Sequence, residues 1–299
     1  MAKYTFKEFQ SEFPTDESCL ERLMQVQYGG TEMTCPGCGV ANAKFHLMHK
    51  RKAYACQECG HHVYPCADTI FNKSRTNLTK WFFAMYLMTS TRHGVAAKEL
   101  QRQLGVTYKC AWRMAHELRK LMASADHGGK LSGHVEIDET YIGGKLSRRK
   151  AKNRKANQFT NKTIVFGMVE CDGMVRAGPV PNAHRPTLEP IIRENVKRDT
   201  IFSTDENGAY NDLVLLGMKH GTVKHSDYEY VRGIHHTNTI ENYWGQFKRG
   251  VRGTHVTISS KHMWKYVAEF AYRRNYRASH SMMFNRLVAA FALPRLIEP

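Results

Sequence analysis

His134-Val-Glu-Ile-Asp-Glu-Thr-Tyr141 is the stretch that decides the fold. Its alternation places Val135 and Ile137 on one face of a strand and Glu136 and Asp138 on the other. A carboxylate in mid-strand is costly unless it is used. Downstream, Thr200-Ile-Phe-Ser-Thr-Asp205 is an apolar strand that ends on an acid, at the carboxyl end where α/β proteins usually place their sites. Glu241 lies in His236-Thr-Asn-Thr-Ile-Glu-Asn-Tyr-Trp244, early in an amphipathic helix and separated from Asp205 by thirty-five residues. Lys248, seven residues further, shares its face. Glu139 and Glu206, adjacent in sequence, point elsewhere.

Three converging carboxylates repel one another unless divalent cations neutralise them. Oxygen ligands with open positions suit Mg2+, with Mn2+ as a substitute. Two such ions about 4 Å apart activate a nucleophile and stabilise the leaving oxygen of a phosphodiester displacement. The expected chemistry is DNA strand cleavage and joining.

Around these stretches, strands are expected at 133–142, 163–171, 174–179 and 200–204, with a hairpin at Asp172-Gly173. Helices are expected at 187–197, 208–216, 237–249, 260–274 and 283–292. Strands followed by helices describe an α/β catalytic domain over 133–299. Trp244, Trp264, Tyr266, Phe270 and Tyr272 have the helical spacing of a core. His235 and His236, before a helix, read as solvent-facing, with DNA or metal contact as the alternative. Lys145 to Lys155 holds seven basic residues in eleven, either a solvated loop or one that meets phosphates through Arg148, Arg149 and Lys150.

Upstream of the polar break at 124–133, the period is that of helices from Leu78 to Met122. Residues 74–125 read as a helix-turn-helix domain: Val95 to Leu104, the turn Gly105-Val106, and a second helix capped by Thr107. That second helix offers Tyr108, Lys109 and Arg113 to a major groove, while Ala111, Trp112, Ala115 and Leu118 serve the core.

Residues 1–73 hold one short helical pattern from Asp16 and then a small module. Cys35-x2-Cys38 and Cys56-x2-Cys59, seventeen residues apart, form two knuckles with Gly39 and Gly60 just past the second cysteines. Four thiolates close a tetrahedral Zn2+ shell, so this zinc is structural. Cys19, Cys66, Cys110 and Cys171 read as small apolar residues.

The chain has 299 residues, enough for two or three folded units. Its 44 Lys and Arg against 27 Asp and Glu give a charge of +17, which points to a polyanionic partner, nucleic acid before an acidic membrane. The first thirteen residues carry charges where a signal peptide needs an apolar run, and no segment is apolar enough to span a bilayer. A cytoplasmic, nucleoid-associated protein is expected.

The motifs Glu136-Ile-Asp-Glu-Thr-Tyr-Ile-Gly-Gly-Lys145, Ser203-Thr-Asp-Glu-Asn-Gly-Ala-Tyr210 and His236 to Trp244 with Lys248-Arg-Gly250 resemble those of insertion-sequence transposases with a zinc ribbon and a DDE core. The closest group is insertion-sequence family fifteen-ninety-five. The Cys35-Pro-Gly-Cys-Gly39 knuckle and the late Tyr266-x2-Glu-Phe-x-Tyr-Arg-Arg-Asn-Tyr-Arg277 extend the resemblance over nearly the whole chain. It implies a ribonuclease-H-like core with a mixed sheet, magnesium dependence and recognition of the element's terminal inverted repeats. It also implies an oligomer acting on element ends and target DNA. Carried over, Asp138 and Asp205 bind metal, Glu241 completes the triad, and Lys248, beside Arg249, contacts phosphate near the cleaved end. Two other readings remain open: a DNA-binding regulator with inert carboxylates, and a ribonuclease-H-like nuclease such as a junction resolvase, which would cut without joining.

Overall fold

The computed structural model describes residues 4–49, 51–126, 129–143, 162–206, 210 and 219–292. The chain folds as two compact units, one formed by Met1–Ala125 with Tyr276–Pro299 and the other by Asp126–Asn275.

In the first unit, α1 (Phe6–Glu12) and α2 (Asp16–Tyr28) each begin with a capping box, from Thr5 and Thr15. Helix α2 matches the expected pattern from Asp16, while α1 is an addition that the Thr5 to Glu8 spacing announces. Four antiparallel strands follow: β1 (Glu32–Met33), β2 (Ala43–Met48), β3 (Ala53–Cys56) and β4 (His62–Val63). Helices α3 (Leu78–Ser90), α4 (Ala97–Leu104) and α5 (Tyr108–Ala125) come next. Gly105 ends α4 in the left-handed region, φ 58°, a conformation glycine adopts without penalty.

The sequence reading carried the catalytic domain to residue 299, whereas the structure assigns 276–299 to the first unit. The reason is aromatic. On the helix His280–Ala289, the buried ring of Phe284 lies 5.1 Å from Tyr4, 6.0 Å from Phe9 and 5.8 Å from Phe13. Burying such a ring contributes about 2–3 kcal/mol.

The second unit is a mixed α/β fold, as a ribonuclease-H-like core requires. Its five-stranded sheet has the order β7-β6-β5-β8-β9, from β5 (His134–Ile142), β6 (Thr163–Glu170), β7 (Val175–Val180), β8 (Ile201–Thr204) and β9 (Lys219–Thr222). The first three are antiparallel; β8 pairs parallel with β5, and β9 with β8. Strand β9 was not anticipated, because Lys-His-Gly-Thr has no apolar alternation. Expected helix 208–216 falls mostly outside the described residues.

The period of two in β5 sorts the core into two layers. Val135 and Ile137 join Phe166, Met168 and Phe202 against Leu188 and Ile192 of α6 (Arg185–Asn195). On the other face Val165, Val169 and Ile142 pack with Ile240, Trp244 and Phe247 of α7 (Asn238–Gly250) and with Val267 and Phe270 of α8 (Met263–Tyr276). The expected core roles of Trp244, Tyr266, Phe270 and Tyr272 therefore hold, while Trp264 is only half-buried. A short hairpin, β10 (Val231–Arg232) with β11 (His235–His236), leads into α7.

Gly167, opposite Asp138 in the β5–β6 register, lets α7 approach the sheet, since a Cβ there would lie 2.6 Å from Cζ2 of Trp244. Gly167→Ala should therefore lower the denaturation midpoint, equivalent to about 1–3 kcal/mol of overpacking. Adding Trp244→Phe should recover part of that loss; a single variant as stable as the parent contradicts the close approach.

Candidate active site

Glu136 and Asp138 lie on the face of β5 that meets α7. Glu136 is fully buried. Its Oε2 accepts the backbone N–H of Ile240 at 2.8 Å, and its Oε1 accepts the Cys171 thiol at 3.4 Å. Thr237, which precedes α7, makes no side-chain cap bond, so this distant carboxylate supplies an acceptor for an amide the helix leaves open. It also sits at the positive end of the helix dipole. The sequence reading placed Glu136 beside Asp138 but gave it no task; its position two residues from Asp138 on the same face was the available signal.

Asp205 and Glu241 both lie near enough to Asp138 for their charges to act on it. The Asp138 carboxyl is pushed up to about 8, first by burial and then by the negative charges of Asp205, Glu139 and Glu241. Asp205 directly follows β8, the parallel neighbour of β5. Glu241 is exposed in the first turn of α7, where Thr237 Oγ1 donates to its Oε1 at 2.8 Å. Glu139 turns to the opposite face and takes a hydrogen bond from the buried Tyr210 hydroxyl. Glu206 accepts from Ser226 at 2.6 Å.

Lys248 lies half-buried near the end of α7, and Arg249 beside it is exposed. A groove of about 460 Å³ is lined by Lys248, Lys162 and Arg252 together with Tyr141 and Ile142, the last two residues of β5. Three cations in one concavity favour a phosphate-bearing ligand. Arg148, Arg149 and Lys150, with the whole basic run 145–155, lie outside the described residues.

His235 and His236 are half-buried rather than solvent-facing. His235 Nδ1 lies 2.9 Å from Ser203 Oγ, which also lies 2.6 Å from His134 Nε2. Cys171 is likewise more than apolar filling, because it contacts Glu136.

In the other unit, the sulfurs of Cys35, Cys38, Cys56 and Cys59 all lie within 4.8 Å of one another. Gly39 and Gly60 adopt φ 74° and 72°, and their amides donate to Cys35 and Cys56 carbonyls at 2.9 and 3.0 Å. Glycine is needed there because the tight knuckle demands the left-handed region. On α5, Tyr108, Lys109 and Arg113 are exposed. Ala111, Ala115 and Leu118 are buried as expected. Trp112, expected in the core, is 37% exposed and packs on His116 instead. It follows Ala111 directly and shares the outer face with Lys109 and Arg113, so the helical period carries it outward.

Residues 14–62 match the transposase zinc-ribbon domain, and residues 130–275 match the ISXO2-like transposase domain. A Halobacterium salinarum protein described as "Uncharacterized protein in transposable element ISH50" is 26% identical over 276 residues, covering 88% of this chain and 92% of its own. A Haemophilus influenzae "Uncharacterized transposase-like protein" is 34% identical over 96 residues, 32% of this chain and 76% of that one.

Because Asp138 is held above its ordinary 3.8, its charged form is disfavoured in the folded state. Without divalent ions, stability should fall as pH rises from about 4 through about 8. Asp138→Asn should then raise the melting temperature of the metal-free protein by a few degrees at pH 8, an order-of-magnitude expectation, and by little at pH 4. An unchanged or lower melting temperature at pH 8 contradicts the crowding of charge.

Proposed function

Because this chain belongs to the ISXO2-like transposases, we propose that it cuts DNA at the terminal inverted repeats of its own insertion sequence and joins the freed ends to target DNA. What supports this reading is that the charges of Asp205, just past the parallel neighbour of β5, and of Glu241, on the helix facing the sheet, both act on the buried Asp138. Oxygen donors that repel one another suit hard divalent cations. Asp138, Asp205 and Glu241 would hold two Mg2+, or Mn2+ in its place. Bound there, such ions supply Lewis acidity for in-line displacement at phosphorus.

The remaining roles fall to this chain's own side chains. Lys248, with Lys162 and Arg252 in the groove, balances the backbone charge of the DNA end. Arg249 extends that contact along the exposed side of α7. Thr237 orients Glu241 through its 2.8 Å hydrogen bond. Helices α4 and α5 act as a helix-turn-helix, with Tyr108, Lys109 and Arg113 facing a major groove. The loop containing Arg148, Arg149 and Lys150 adds sequence-independent affinity for phosphates.

Cys35, Cys38, Cys56 and Cys59 would hold one structural Zn2+, since four thiolates leave no open position. Among the described residues, no helix is long and apolar enough to cross a membrane. On this reading the protein acts in the cytoplasm at the nucleoid, on double-stranded DNA and as a homo-oligomer.

The decisive experiment supplies Mg2+ and DNA carrying the element's ends. The parent should both nick and join, and Asp205→Ala should lose at least about a thousandfold in each step. Equal cleavage by both proteins would overturn the proposed site, and cleavage without joining would favour a resolvase-like nuclease. Separately, Cys38→Ser or zinc chelation should weaken end binding while residues 126–275 stay folded; undiminished end binding would remove the ribbon from recognition.

A further inference from the structure

Asp138 is not the only functional group that the start of β5 presents. His134 begins the strand, Cys171 follows the end of β6, and His236 closes β11 just before α7. One donor atom from each lies within 4.8 Å of the others, and all three residues are half-buried. We propose that His134, Cys171 and His236 form a second metal site, with the buried Glu136 carboxylate beside it, that takes Zn2+ or a similar borderline-soft divalent ion.

Four observations carry this. The donors are two imidazoles and a sulfur, a set that selects zinc and its neighbours over magnesium. Tetrahedral zinc ligands stand about 3.3–3.8 Å apart, so the three donors reach that spacing with shifts of roughly an ångström or less. Glu136 is completely buried, and its Oε1 lies 2.9 Å from His236 Nδ1 and 3.4 Å from Cys171 Sγ. Finally, His236 Nδ1 is buried yet lies out of line for a hydrogen bond, even to that oxygen.

The charges also balance. A thiolate and a carboxylate carry two negative charges, which a divalent cation cancels in an interior where an uncompensated charge is costly. Cys171 releases its thiol proton to solvent as the ion binds. Around the site, Ser203 holds His134 at Nε2, 2.6 Å away, in the way a ligating histidine is usually fixed through its second nitrogen. Ile240 N–H fixes Glu136 through the other carboxylate oxygen.

The site lies apart from the magnesium-type carboxylates in chemistry, and from the ribbon in the unit that holds it. It nonetheless adjoins the carboxylates in sequence: His134 lies on the strand of Asp138, and His236 stands five residues before Glu241. An ion bound there clasps β5 to the foot of α7.

The test uses the full-length protein with Co2+ and Zn2+ as probes. The parent should take up one equivalent of Co2+ per chain more than Cys171→Ala, with an added sulfur-to-cobalt charge-transfer band and tetrahedral visible bands. The variant should bind that equivalent at least about tenfold more weakly. The ribbon is intact in both proteins, so their difference reports only this site. Equal uptake with identical spectra overturns the proposal. A measurement on the parent alone guards against a variant that fails to fold: at saturating Zn2+ the parent should retain one equivalent beyond the ribbon's after desalting, and should melt higher than when depleted of it. Retention of the ribbon's zinc alone also overturns the proposal.

Discussion

A buried carboxylate on β5 accepting a backbone amide of α7 joins residues 104 apart in sequence. Glu136 has no exposure to water, so losing that amide would leave a buried polar group without its partner. The bond therefore does more than add a small increment of stability. It fixes where the helix begins on the sheet, and with it the place of Glu241 relative to Asp138. Gly167 and Trp244 set the separation of the same two elements, while Glu136 sets their register. The position of Glu241 against the sheet follows from these two constraints.

Much of this was legible in the sequence, for reasons that differ by element. Val135 and Ile137 alternate with Glu136 and Asp138, and a period of two sorts faces without knowledge of the partner. The paired cysteine spacings and their glycines encode a local geometry that reappears as two left-handed knuckles. The turn at Gly105 belongs to the same local class.

What escaped was decided by contacts distant in sequence. Strand β9 exists because β8 offers it an edge, not because Lys219–Thr222 has a strand's pattern. His235 and His236 are drawn inward by Ser203 and Glu136. Trp112 had the composition of a core residue, but its position on the helical turn decided otherwise. Of the site itself, the three acids could be nominated from the strand end, the alternating strand and the amphipathic helix. For the carboxylate that holds the third in place, the sequence offered only its shared face with Asp138, because its acceptor role depends on an amide 104 residues away.

The path of the chain has a consequence for its synthesis. The aromatic partners of Tyr4, Phe9 and Phe13 include Phe284, so the unit begun first is completed by residues made near the end. The sheet-containing unit, translated between them, has its five described strands and the covering helices α6, α7 and nearly all of α8 made by Asn275 and can fold while the amino-terminal aromatic cluster still waits. A product released early would carry a folded sheet-containing unit joined to an amino-terminal unit whose aromatic cluster is uncovered, a species marked for aggregation or proteolysis.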